Sequence, residues 1–420
     1  MDKITHYSNG VRLITSEMPH MASVSMGIWV GVGGRHEEKK LNGISHLLEH
    51  IAFKDTEKRK TYEIYRDIEG IGGTLNAFTA EECTCYTAKV PALHTGVAFD
   101  VLSDIYFNQK IDTDELQKEI NVIKEEICMY QDMPSQHVQD VLLSILWPEH
   151  SLGRPLIGTL DTLKNIDRAT LHSYKNSMYT LDNIVISAVG NVTHSYLENL
   201  VTEYFSQKND KEKPCFLPAE ISQTKPCIKI TKKNVEQCYV SIGIRALART
   251  DPEIYALKLL SVILGENASS RLFQVIREQH GLAYDIQTSI EKFVDTGVLI
   301  INVGTDINKL IKCIRLIINE LHKLRSDLID KQELSRAKEY CFGQIAMNRE
   351  KTFDYMLWIG ESLLTTGTVD SFDEIMRKIN SVTEVDIANL AKRLFVDASL
   401  NLSVVGPSPD KENITDCFHF

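Results

Sequence analysis

His46, Glu49 and His50 fall within one short run, His46-Leu-Leu-Glu-His50, at the spacing of a metal centre built on one helix. Side chains four apart on a helix are neighbours, so two imidazoles so placed can hold one cation between them. A carboxylate three positions after the first histidine lies on the same face, within reach of a water that the cation would acidify. Ile44, Leu47, Leu48 and Ile51 occupy the opposite face at ordinary core spacing. The segment reads as a helix that packs on one side and does chemistry on the other.

Two histidines do not complete such a centre, because a catalytic zinc usually takes three protein ligands and leaves one position open. Candidates for the third lie in Asp114–Tyr130. There Leu116, Ile120, Ile123 and Ile127 form an apolar stripe at steps of four, three and four, which predicts a second amphipathic helix. Glu119 and Glu126 are two turns apart and lie on nearly one line beside that stripe. Glu125 is rotated by about 100° from Glu126 and reads as a surface residue. On spacing alone, Glu119 and Glu126 are either an inward-facing acidic pair or further surface carboxylates.

The order His-x-x-Glu-His is the inverted form of a zinc-peptidase motif. In this chain it stands within Gly43-Ile-Ser-His-Leu-Leu-Glu-His-Ile-Ala-Phe-Lys54, which resembles the zinc site of the pitrilysin family of metallopeptidases. That family includes insulin-degrading enzyme and the mitochondrial processing peptidases. Glu126 closes the run Glu119-Ile-Asn-Val-Ile-Lys-Glu-Glu126, and its distance along the chain from His50 matches that of the family's glutamate ligand. The resemblance implies His46, His50 and Glu126 as ligands of one zinc ion per chain, Glu49 as general base and Glu119 as a supporting carboxylate of the catalytic site. It further implies that Asn76, Ala77 and Phe78, in Gly72-Gly-Thr-Leu-Asn-Ala-Phe-Thr79, line a strand edge on which substrate pairs as an added strand. Arg277 and Tyr284, seven apart, match the family's pair that holds the substrate carbonyl, with Tyr284 also stabilising the oxyanion. Without the resemblance, Asn76 reads as a turn residue, Phe78 as a core aromatic, Arg277 as a surface ion-pair residue and Tyr284 as a half-buried strand aromatic. Asp55 is a departure, since the family often has glycine there; Asp tolerates turn geometry, so the expected effect is modest and local.

The elements that must position these residues form two matched halves. Ile184–Gly190 and Leu400–Gly406 are apolar strands ending in glycine. Gly27 and Gly243 sit in similar Ser-x-Gly-Ile runs, and the step from Gly27 to Gly243 equals the step from Gly190 to Gly406. Two anchors at one offset predict a duplicated unit of roughly 200 residues, with domains at 1–206 and 227–420 joined by a linker over 207–226. Predicted strands include Ser23–Val30, Ala77–Val90, Cys238–Ile244 and Val298–Val303. The fold class expected is α+β: two homologous domains, each a mostly antiparallel or mixed sheet with helices packed on one side. The second half has only an apolar helix, Tyr255–Leu264, where the first has its histidines, so it is expected to carry the Arg277–Tyr284 pair and no metal site.

Acidic residues outnumber basic ones by 57 to 46, a net charge of −11, which argues against nucleic-acid binding. Nine cysteines, an odd number without Cys-x-x-Cys, suit a reducing compartment. No run approaches a membrane span, and the first residues have neither an apolar core nor an Arg-rich presequence. A cytoplasmic protein is expected, in a bacterial cytosol rather than a mitochondrial matrix. The resemblance implies a zinc endopeptidase acting on peptides or unfolded segments inside a closed chamber of four domains; with two domains per chain a homodimer is expected, each Arg–Tyr pair serving the partner's zinc site. A leader-processing peptidase is the narrower alternative, and a non-catalytic peptide-binding or structural subunit the alternative of another class.

Overall fold

The computed structural model describes residues 2–208, 211–220, 222–407 and 411–420. Residues 209, 210 and 221 of the expected linker lie outside them. The chain divides into two compact units. The first comprises Met1–Ile127, Arg154–Leu217 and Ala346–Val369; the second comprises Cys128–Gly153, Pro218–Ile345 and Asp370–Phe420. Each unit thus takes one segment from the opposite half of the sequence.

The first unit is built on strands β1 (Lys3–His6), β2 (Arg12–Glu17), β3 (Ser23–Val30), β4 (Thr74–Thr79), β5 (Thr84–Pro91) and β6 (Ile184–Gly190). They lie in the order β1-β2-β6-β3-β5-β4, and only β2 and β6 run parallel. Alternation along the strands sends successive side chains to opposite faces. Leu13, Ile28 and Ile186 point into the larger core. That core also holds buried residues of α1 (Ile44–Ala52), α2 (Thr61–Glu69), α3 (Thr95–Phe107), α4 (Thr113–Asp132), α6 (Arg168–Met178) and α7 (His194–Tyr204). Their neighbours Ile14, Trp29 and Val185 point the other way and are covered by Met356, Ile359 and Leu363 of a single helix, α11 (Thr352–Thr366).

The second unit repeats the plan with β7 (Cys227–Lys232), β8 (Gln237–Ala246), β9 (Ala283–Lys292), β10 (Gly297–Asp306) and β11 (Leu400–Gly406) in the order β7-β11-β8-β10-β9. Again one pair, β7 with β11, is parallel. Helix α5 (Pro134–Leu146) packs on β8 and β11. Helix α13 (Glu384–Leu394) packs on α8 (Ile254–Gly265) and α9 (Leu310–Ser326), and all three pack on the sheet, with α10 (Lys331–Glu350) and α12 (Phe372–Ser381) between α9 and α13 in sequence. The fold class is the α+β expected, in two similar units.

The repeated glycines have a shared cause. A Cβ on Gly27 would stand 2.9 Å from Met356 Sδ of α11, and one on Gly243 would stand 2.9 Å from Leu146 Cδ1 of α5. Both glycines let a helix from the other half of the chain lie close on a sheet. Gly190 and Gly406 end corresponding strands, where a Cβ would meet the backbone carbonyl of Ser23 or Gln237.

One element differs from the reading of the sequence. The strand predicted over 77–90 is a hairpin, β4 and β5, turning at residues 80–83. The turn has no Gly, Pro or Asn to announce it. Tertiary bonds hold it instead: Arg35 N–H donates to Glu81 O (2.7 Å), and the Arg35 guanidinium pairs with Glu82 (2.6 Å). Among the described residues no helix is long and apolar enough to cross a membrane, and the cysteines are free.

Candidate metal centre

Helix α1 starts under unusual constraint. Its N-cap Gly43 has φ +96°, and a Cβ there would stand 2.8 Å from Gly158 Cα, so two glycine backbones meet where the helix begins. The buried carboxylate of Glu37 accepts from Gly43 N–H (2.8 Å), Ser45 N–H (2.8 Å) and Asn42 Nδ2 (3.0 Å). It thus satisfies N–H groups that the first turn leaves without a partner. Burial pushes the Glu37 pKa up, against the pull of those donors. Ser45 Oγ meets Tyr174 OH of α6 at 2.8 Å. Ile44, Leu47, Leu48 and Ile51 are fully buried, which fixes the rotation of α1 and turns the histidine face away from the core.

Helix α4 brings the carboxylates. Leu116, Ile120, Ile123 and Ile127 are its buried stripe, Glu119 is buried, Glu126 half-buried and Glu125 exposed. One ligand atom each from His46, His50 and Glu126 lie within 4.8 Å of one another, and they are the one such group among the described residues. Glu126 Oε2 is 3.9 Å from His46 Nε2 and 3.7 Å from His50 Nε2. Two atoms each about 2.1 Å from a tetrahedral ion stand roughly 3.4 Å apart, so the two separations to Glu126 are within about half an ångström of that spacing. His46 is held neutral at physiological pH, its pKa pushed down to about 4 by burial and by His50, which leaves a nitrogen lone pair free to coordinate. Its Nδ1 is buried with no hydrogen-bond partner among the described residues. Burial raises the pKa of Glu126. A His–His–Glu donor set in this arrangement fits zinc.

Glu49 lies beside these candidate ligands, with Oε2 accepting from Thr79 Oγ1 at 2.7 Å. Burial raises its pKa, opposed by the Thr79 hydroxyl and by His50. Glu119 Oε2 is 3.1 Å from His50 Nδ1, and Lys54 Nζ is 2.7 Å from Glu119 Oε1. Asn76, Ala77 and Phe78 lie on β4, which pairs on one side only and forms the edge of the sheet next to α1. Asn76 is exposed and its Oδ1 accepts from Ala77 N–H (2.9 Å), while half-buried Phe78 packs edge-on against Trp29 (5.7 Å between centroids). Asp55 has a use of its own: Oδ1 accepts from Thr61 N–H and Thr61 Oγ1, bracing the start of α2.

Arg277 and Tyr284 belong to the second unit. Arg277 sits on a π-helical turn, Phe273–Gln279, and Tyr284 on β9, the edge strand of its sheet. The guanidinium carbon lies 4.9 Å from the centre of the Tyr284 ring, a cation–π contact, and Tyr284 is 83% exposed. The structure therefore brings His46, Glu49, His50, Glu119 and Glu126 together in one unit and Arg277 with Tyr284 in the other. Reading the sequence missed Glu37, Lys54 and Thr79. The last two stand inside the quoted runs, yet only the tertiary fold shows what they touch.

Comparison with known proteins decides the family. Residues 12–160 match the model of Insulinase (Peptidase family M16), and residues 165–341 match that of the Peptidase M16 inactive domain. The chain belongs to peptidase family M16. It is 38% identical to the uncharacterized zinc protease YmxG of Bacillus subtilis over 95% of this chain and 97% of that one. It is 33% identical to an uncharacterized zinc protease of Mycobacterium tuberculosis over 98% and 94%. In fold it resembles a protease from Helicobacter pylori (TM-score 0.91, 22% identity, 97% and 99% covered). A second likeness in fold is a peptidase M16 inactive domain from Pseudomonas fluorescens (TM-score 0.89, 15% identity, 97% and 98% covered). The candidate metal-ligand set of this M16 chain, His46, His50 and Glu126, lies wholly within the residues matched by the first family model.

Proposed function

We propose that this M16 chain is a zinc endopeptidase that hydrolyses peptides or unfolded segments. The observation that carries the reading is the meeting of His46, His50 and Glu126 beside a carboxylate, Glu49, that belongs to none of those contacts and is aimed by Thr79. Bound at those three side chains, zinc supplies Lewis acidity, acidifying a water and polarising the scissile carbonyl. Glu49 takes the proton of the attacking water and hands it to the leaving amine. Its raised pKa suits that exchange, since a desolvated carboxylate is a stronger base than an exposed one. Glu119 orients His50 through Nδ1 and fixes which nitrogen is free. Peptide backbone adds to the open edge of β4 at Asn76, Ala77 and Phe78. Arg277 and Tyr284 hold the carbonyl oxygen, with the Tyr284 hydroxyl as donor to the developing oxyanion. The working form is a homodimer with one zinc per chain.

The test is a library of unstructured peptides incubated with zinc-loaded protein, with cuts mapped by mass spectrometry and Glu49→Gln run in parallel. Many cuts by the wild type alone support the reading, and their spread in sequence separates general degradation from leader processing. Loss of metal in Glu49→Gln would refute the role given to Glu49. No cuts by a zinc-bound wild type would favour a peptide-binding subunit.

A further inference from the structure

Lys54 lies outside every role assigned above, yet its charge is turned inward. It stands two residues past the end of α1, where its N–H donates to Ile51 O (3.0 Å). Its Nζ stands 2.7 Å from Glu119 Oε1, and the other oxygen of that carboxylate stands 3.1 Å from His50 Nδ1. Three groups thus run in line from ammonium through carboxylate to imidazole. Glu119 is only 7% exposed, so water is poorly placed to substitute for either partner. Among the described residues its carboxylate has no other hydrogen-bond or ion-pair partner.

We propose that Lys54 is a positioning residue for the metal centre. It holds Glu119 in the rotamer that presents Oε2 to His50 Nδ1, and so keeps His50 Nε2 turned toward Glu126. The inference rests on the reading of His46, His50 and Glu126 as metal ligands. A glutamate has three side-chain torsions, and a single contact to an imidazole leaves the carboxylate free to swing. A second contact, from an ammonium on the opposite oxygen, fixes both its place and its direction. Lys54 stands four residues after His50, just past the end of α1, so one short stretch of chain supplies both the candidate ligand and the anchor of the group that orients it. The rival account is a plain ion pair that ties α1 to α4 and acts on folding alone.

The experiment measures the zinc dissociation constant of the full chain by competition with a chromophoric chelator. It compares wild type, Lys54→Met, Lys54→Arg, Glu119→Gln and the double variant Lys54→Met/Glu119→Gln. Removing an outer partner of a metal ligand weakens binding about tenfold or more, so Lys54→Met is expected to lose about tenfold and Lys54→Arg less than about threefold. In the Glu119→Gln background, Lys54→Met is expected to cost nothing further, because its path to His50 is already cut. Wild-type affinity in Lys54→Met overturns the proposal. So does an equal loss in both backgrounds, which would mark an effect on folding. If Lys54→Met does not fold, Lys54→Gln makes the same comparison. A wild-type chain that binds no zinc refutes the metal-centre reading itself, a result distinct from a zinc-binding wild type indifferent to Lys54.

Discussion

Thr79 contributes one hydroxyl to the site, and its position makes that hydroxyl costly to lose. It ends β4, the strand on which we place the substrate backbone, and it donates to Glu49. A hydrogen bond to a charged group is worth about 1.5–3 kcal/mol, so Thr79→Val is expected to lower kcat by about tenfold or more. KM and zinc content should stay near wild type, and Thr79→Ser should restore most of the rate. A Thr79→Val enzyme as fast as wild type would show that Glu49 needs no such support. At this scale the sequence was informative where the chemistry is local. His46, Glu49 and His50 share one helix, and Glu119 with Glu126 share another, so helical periodicity alone placed each set on a common face. Glu37 caps α1 from outside it, and Lys54 reaches across to α4; neither contact has a spacing rule to reveal it.

Elements succeed or fail here at their ends. Helix α1 depends on Gly43, whose positive φ and close approach to Gly158 leave no room for a side chain. Gly43→Ala is expected to cost about 2 kcal/mol or more in urea unfolding and to weaken zinc binding with it. An alanine variant of unchanged stability would mean that the start of α1 can shift at little cost. The segment Cys215–Leu217 is seated on the first unit by Phe216, which stacks 3.9 Å from the Arg35 guanidinium and meets the His36 ring edge-on. Burial, helped by the charges of Arg35 and Lys213, pushes the His36 pKa down to about 4. Between pH 6.5 and 4 the unfolded chain therefore binds a proton that folded His36 refuses. Stability from this ring is full above pH 6.5 and falls as pH drops toward 4. The loss from pH 7.5 to pH 5 is expected to be roughly 2 kcal/mol, and to shrink in His36→Leu. An unchanged pH dependence in that variant would place the loss elsewhere. Strand ends were the least legible part of the sequence. The run from Ala77 to Val90 looks like one strand because its turn is set by Arg35, far upstream in the chain.

Whole-molecule organisation was legible as a repeat and opaque as an exchange. The shared offset of the paired glycines announced two like units, but nothing in α5 or α11 says that each packs with the other half of the chain. Function at this scale turns on whether the Arg277–Tyr284 pair serves its own chain or a second copy. Glu49→Gln and Tyr284→Phe, each inactive alone, are expected to regain part of the wild-type rate when mixed and allowed to exchange subunits, because one site then has both an intact base and an intact tyrosine. No regain after proven exchange would confine the pair to its own chain. The exchanged helix α11 bears also on the order of events at the ribosome. The candidate metal ligands all precede Ile127, in the first segment of the first unit, yet the helix that covers Ile14, Trp29 and Val185 ends only at Thr366. Most of the chain must emerge before that sheet is closed on both faces. One face of the nascent sheet then waits for α11, and a premature stop between Gly190 and Thr352 would release a protein with its candidate ligands present and that face uncovered.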